Sequence, residues 1–366
     1  MAENSNIEWC HHTFNPWRGC TKVSAGCAHC YAETNSHRNP KLFGEWGPGK
    51  PRSLASEAMW KEPLRWNDRA GRQRIKNGQV HTYTGFWQPG GDPANLEYNT
   101  QLPDGTYAKM KPAEWDTLPP HRPRVFCASL ADWLDDEVPI EWLKRLLELI
   151  HKTPHLDWLL LTKRIENWRT RLEATDHDVI FDTADFVASE WLAGRPPTNI
   201  WLGTSVENQA AADTRIPELL KIPARIRFLS CEPLLGPVDI SWSFPQTDPI
   251  LLATMLTKPQ EGINWVIVGG ESGPHARPMR PAWAESLQLQ CEDTDTPFLF
   301  KQWGNWFPRS QWQDNPDLVL PDDCDAYVES EKNHIFPGGE VTYNVGKKAA
   351  GRLLNGIEYN GYPVTS

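Results

Sequence analysis

Cys20, Cys27 and Cys30 are the residues whose type and spacing most directly suggest chemistry, with six residues between the first pair and two between the second. Thiolates bind zinc and iron-sulfur clusters, and three closely spaced ligands without an obvious fourth leave one metal position open to another molecule. A structural zinc site is normally closed by four ligands, and Cys10, His11, His12 or His29 is near enough in sequence to complete one. Spacing alone leaves cluster and zinc both open. The remaining cysteines, Cys10, Cys127, Cys231, Cys291 and Cys324, are scattered. Cys127 and Cys231 lie inside apolar runs, where a cysteine behaves as a small hydrophobe.

The elements that must hold such a loop are seven short apolar runs, at residues 7–14, 124–129, 156–162, 199–205, 226–231, 264–269 and 297–301. Their apolar character is continuous rather than alternating, which marks strands covered on both faces and favours a parallel sheet with helical crossovers. Residues 139–152 supply one such helix, with Pro at its start and a stripe through Trp142, Leu146, Leu149 and Ile150. The expected fold is therefore α/β, a barrel or doubly wound sheet of six to seven parallel strands. Two stretches break the rhythm: residues 41–122, rich in Pro, Gly, Trp and charge with one helix near 53–68, and residues 241–262. Residues 1–302 form the expected main unit and residues 303–366 a C-terminal extension packed on it.

In a parallel barrel, functional residues gather where strands end. The predicted strand ends carry Ser129 and Asp132, then Lys163 and Arg164, then Ser205, Glu207 and Asn208, then Glu232, then Gly269, Gly270, Glu271 and Ser272, and finally Lys301 and Gln302. That ring of polarity suits a polar ligand at one face. Gly269 and Gly270 would let a ligand approach the backbone or would form a tight turn.

Composition narrows the partners. A formal charge of -10 argues against a broadly basic nucleic-acid coat, although a local basic groove remains compatible with it. Nineteen tryptophans are first read as packing and second as base-stacking surfaces. No apolar stretch is long enough to span a bilayer, and the start MAENSNIEWCHH lacks a secretory pattern, so a cytoplasmic protein with reduced thiols and no membrane partner is expected.

The loop GCTKVSAGCAHCYAE resembles the cluster loop of radical S-adenosylmethionine (SAM) enzymes. Their usual spacing is three residues and then two, with an aromatic residue before the last cysteine; here the first gap is longer and His29 fills the aromatic slot. The series FNPWRGCTKVSAGCAHCYAE, CASLADWLDDEVP, LLLTKRIENW, WLGTSVENQ, RFLSCEPLLGP, WVIVGGESGP and FLFKQWG is similar to the three-Cys-motif proteins often encoded by bacteriophages, a family described only as a domain of unknown function. The resemblance implies a partial (β/α) TIM-like barrel with the cluster loop at its C-terminal mouth. It further implies a 4Fe-4S cluster on Cys20, Cys27 and Cys30, with SAM chelating the fourth iron and cleaved to a 5'-deoxyadenosyl radical. A reductase or flavodoxin-type protein would then donate the electron. Ser129 and Asp132 become candidates for the methionine part of SAM, and Ser205 and Glu207 for its ribose. Radical SAM enzymes often carry a Gly-Gly-Glu motif that holds the SAM amino group, usually at the second strand; Gly269, Gly270 and Glu271 end the sixth, so they stay candidate ligand contacts without that specific role.

The leading expectation is radical SAM chemistry that modifies or repairs a nucleic acid or nucleotide. The alternative, from another class, is a zinc-stabilised scaffold without catalysis that works with a phage-encoded partner.

Overall fold

The computed structural model describes residues 2–88, 95–175, 183–244, 262–312 and 332–364. Its central element is a sheet of seven parallel strands in simple sequence order: β1 (His12–Phe14), β2 (Arg124–Cys127), β3 (Asp157–Thr162), β4 (Ile200–Ser205), β5 (Ile226–Cys231), β6 (Trp265–Gly269) and β7 (Phe298–Gln302). Each pairs in parallel with the next. All seven predicted strands are present, because residues such as Leu159, Leu160, Val266 and Ile267 are buried from both sides.

The sheet curves into a half-barrel whose two edges are covered. Ala2–Glu3 pairs antiparallel with β1. At the far edge the chain returns near its C-terminus, where Phe300 N–H donates to Tyr359 O at 3.1 Å and Gly361 N–H to Phe298 O at 2.9 Å. Covering these backbone groups removes a template for pairing with other chains. The fold is thus mixed α/β with a seven-stranded parallel half-barrel. Its crossovers include the helix Ile140–His151, which matches the predicted stripe and buries Leu143, Leu146, Leu147, Leu149 and Ile150. Among the described residues no helix is long and apolar enough to cross a membrane.

Side chains alternate across the sheet with period two, and this alternation layers the concave face. Leu159, Trp201, Phe228, Trp265 and Leu299 join Trp9 in an apolar floor. Two residues further along the same strands come Leu161, Gly203, Ser230 and Lys301, then Lys163, Ser205 and Glu232. Gly203 is glycine because the Phe228 ring lies across it, only 2.4 Å from where a Cβ would stand. Tryptophan accordingly serves mainly packing: Trp9, Trp17, Trp133, Trp158, Trp191, Trp201, Trp265 and Trp303 are fully buried.

The stretch 41–122 contains the expected helix, Glu57–Ala70, and a four-stranded antiparallel sheet that sequence reasoning did not find. Its strands are Gln73–Lys76, Gln79–Trp87, Glu97–Gln101 and Tyr107–Met110. Tyr83, Tyr98 and Trp115 form its small aromatic centre, with rings 5.0 to 6.2 Å apart. The extension adds a second antiparallel sheet, Trp306–Pro308, Val341–Asn344 and Asn333–Ile335. Tyr362 reaches back to pack its ring 5.4 Å from that of Trp265 and donates to Glu8 O at 2.8 Å. The second predicted insertion, 241–262, lies almost wholly outside the described residues.

Candidate functional site

A cavity of about 440 Å³ opens at the C-terminal ends of the parallel strands. The loop after β1 arches over it, and Cys20, Cys27 and Cys30 all line it as free thiols. A 3-10 turn, Ala25–Cys27, presents the second cysteine, and the third immediately precedes the helix Tyr31–Arg38.

Three charged residues from strand ends fasten this loop. Arg164, past the end of β3, donates to Cys20 Sγ at 3.4 Å and to Thr21 O at 2.7 Å. Glu207, past the end of β4, accepts from Gly26 N–H at 3.4 Å, while Arg215 holds its other oxygen at 2.8 Å. Glu271, past the end of β6, lies 3.1 Å from His29 Nδ1 and is gripped by Arg277 through two side-chain bonds and one backbone bond of 2.6 to 2.8 Å. Burial pushes both carboxyls up, but their partners prevail and hold them below the usual carboxylate range. For Glu207 these are chiefly Arg215 with Ser24 and Lys163, and for Glu271 Arg277 with His29. Two carboxylates and one guanidinium therefore pin the loop at three points.

Asp132 anchors Arg164 in turn. Its carboxylate accepts from Thr162 Oγ1 at 2.6 Å, Lys163 N–H at 2.9 Å, Leu134 N–H at 3.0 Å and Arg164 at 3.2 Å. Burial pushes the Cys20 thiol up to about 12, with Asp132 adding to the effect and Arg164 opposing it; burial raises Cys30 as well. A metal binding these thiols would have to displace their protons, so loading releases protons and weakens as pH falls.

The groups that could close a zinc site point elsewhere. Cys10 is buried in the apolar floor, His11 Nδ1 accepts from Arg124 N–H at 2.8 Å, and His12 stacks on Trp66 at 4.4 Å. Of the four candidates only His29 lines the cavity, and it is engaged by Glu271. Among the described residues no three His, Cys, Asp or Glu side chains are grouped to hold a single ion. Cys20, Cys27 and Cys30 thus line the cavity with His29 as the one zinc-site candidate beside them, and Glu271 engages that His29.

The chain matches the family described as "Protein of unknown function (DUF5131)" over residues 4–363. It belongs to that family. No curated protein and no solved structure matches it. The family match runs through both the cavity and the C-terminal residues that return to β7.

Most residues chosen from the strand ends do meet here. Ser129, Asp132, Ser205, Gly270 and Glu271 line the cavity, as do Lys163, Arg164, Glu232, Ser272, Lys301 and Gln302. Gly269 and Glu207 do not line it. Glu207 stands behind the cysteine loop, and a Cβ on Gly269 would meet the Glu232 carboxylate at 2.7 Å. Gly270 is glycine for a backbone reason, since a Cβ there would fall 1.9 Å from Trp303 O. Asn208, also noted at a strand end, caps the helix Gln209–Lys221 by accepting from Ala211 N–H at 3.0 Å. Sequence reasoning missed Glu8, Trp9 and Lys347, which also line the cavity. Glu8 carried one weak signal, a lone charge beside the aromatic start of the first apolar run.

Proposed function

We propose that the chain is a radical SAM enzyme that binds a 4Fe-4S cluster through Cys20, Cys27 and Cys30 and modifies or repairs a nucleic acid or nucleotide. The observation that carries this reading is that Cys20, Cys27 and Cys30 all line one cavity at the mouth of a parallel half-barrel, with no fourth cysteine lining it among the described residues. We read the half-barrel as the partial TIM-like barrel of those enzymes. When bound, the cluster and SAM together would supply a carbon-centred radical able to take a hydrogen atom from a substrate.

The chain's own residues support that chemistry in three ways. Arg164, Glu207 and Glu271 fasten the loop that carries the three cysteines along the cavity. Lys163, whose Nζ donates to Ser205 Oγ at 3.0 Å and has no carboxylate partner among the described residues, offers a cation to the carboxylate of SAM. Ser205 offers a hydroxyl beside it and Ser129, bonded to the Asn15 amide, lines the same cavity, while Asp132 acts through Arg164 and Glu207 through the loop. The apolar floor beneath excludes water from the reacting centre. An external reductase or flavodoxin-type donor would deliver the electron; a phage-encoded partner belongs to the alternative reading, a zinc-stabilised scaffold without catalysis.

Anaerobic purification, reconstitution with iron and sulfide, and reduction in the presence of SAM should release 5'-deoxyadenosine from the native chain and none from Cys27→Ala. SAM recovered intact from iron-loaded native protein would refute the reading.

A further inference from the structure

The inner end of the cavity has a chemistry that the loop and its fasteners do not use. Gln302 is only 6% exposed; its Nε2 donates to Gly270 O at 3.3 Å, and its Oε1 meets no donor among the described residues. Glu8 Oε2 is likewise buried without a donor, and Trp9 Nε1 without an acceptor. Indole N–H groups lacking acceptors also occur far from the cavity, at Trp60, Trp66, Trp133 and Trp168, so the weight falls on Gln302 and Glu8. Buried polar atoms are nearly always hydrogen-bonded, and two unmatched acceptors on the wall of one cavity call for a ligand that donates to them.

Lys301 supplies the complementary polarity. Its Nζ lies 2.9 Å from Glu232 Oε1, and two of its three protons remain for other acceptors. Glu8 is close enough for its charge to act on Lys301. Trp9 and Phe126, 4.4 Å apart, give aromatic surface beside these groups.

We propose that Glu8, Trp9, Lys301 and Gln302 form a subsite for a nucleobase, so that the reacting part of the substrate is a base and not the sugar-phosphate. This rests on the nucleotide reading above and deepens it. A base edge presents N–H donors and ring acceptors side by side, as the subsite requires, and its flat face suits the aromatic wall. A phosphate is disfavoured because the two carboxylates Glu8 and Glu232 outnumber the one cation, Lys301, that they act on. The polarity of these four residues therefore suits a base in place of a phosphate, which in a duplex demands a flipped or unpaired base.

The test is calorimetric titration of adenosine, guanosine, cytidine, thymidine and ribose 5-phosphate into full-length reconstituted protein saturated with SAM, with SAM itself titrated separately. The native chain should bind at least one nucleoside and not ribose 5-phosphate. Gln302→Leu and Glu8→Gln should each weaken that nucleoside roughly tenfold while SAM affinity and melting temperature stay at native values. Glu8→Gln preserves shape, so it keeps the test decisive should Gln302→Leu fold poorly. If SAM binds but no nucleoside does, or if both variants bind nucleoside like the native chain, or if ribose 5-phosphate binds as tightly, the subsite is overturned and the radical SAM reading stands. If a nucleoside binds with this variant pattern but SAM does not, the subsite stands and the cofactor reading falls.

Discussion

The floor and the mouth of the half-barrel are made by the same strands a few residues apart, yet they differ in almost every physical respect. The floor is a layer of Trp9, Leu159, Trp201, Phe228, Trp265 and Leu299 with rings 5.8 to 6.4 Å apart where they meet. The mouth holds Asp132, Lys163, Arg164, Glu232, Glu271 and Lys301, tied to one another and to the cysteine loop. Hydrophobic burial is non-directional and stabilises the sheet; the charge-assisted bonds are directional and fasten the cysteine loop. Stability and chemistry are thus separated by depth along each strand, as in barrels whose sites sit at the strand ends.

The largest expected effect tests that separation. Trp265→Ala in the floor should cost about 3–5 kcal/mol of unfolding free energy, read from denaturant titration, while the folded fraction still takes up iron. Cys30→Ala at the mouth should do the reverse, losing iron with little change in stability. Equal destabilisation by the two substitutions would dissolve the distinction.

A smaller effect sharpens it. Glu207 and Glu271 are held below the ordinary carboxylate value of 4.5, so the native chain binds fewer protons there than the unfolded chain does. The stability they contribute is fully present above pH 4.5 and is lost as pH falls through their lower native values. The apolar floor has no such dependence. Denaturant titrations stepped down in pH should therefore show an acid limb that the double variant Glu207→Gln, Glu271→Gln flattens. An unchanged acid limb in that variant would show that these carboxylates do not fasten the loop.

The parallel strands were legible because burial on both faces writes continuous apolar runs, such as Leu156 to Thr162, that local reading can detect. The insertion sheet was not. Three of its four strands, QRIK, EYNTQ and YAKM, are short, largely polar and half-exposed, and the sheet's apolar support comes in part from Trp115 beyond the last strand. The three cysteines announced themselves by spacing. The roles of Glu207, Gly269 and Gly270 did not, because they depend on which backbone or side chain lies opposite once the sheet is curved. Glu8 gave only the weak signal of a lone charge in an apolar run, and the Tyr362 hydroxyl that bonds its backbone carbonyl is 354 residues away.

The central claim is that the three thiols hold an iron-sulfur cluster with one iron open to SAM. Electron paramagnetic resonance of the anaerobically reconstituted, reduced protein, recorded with and without SAM, tests it most directly. The account predicts about four irons per chain and a reduced-cluster signal whose shape changes when SAM is added. A colourless protein carrying zinc, with no such signal in either condition, would contradict it.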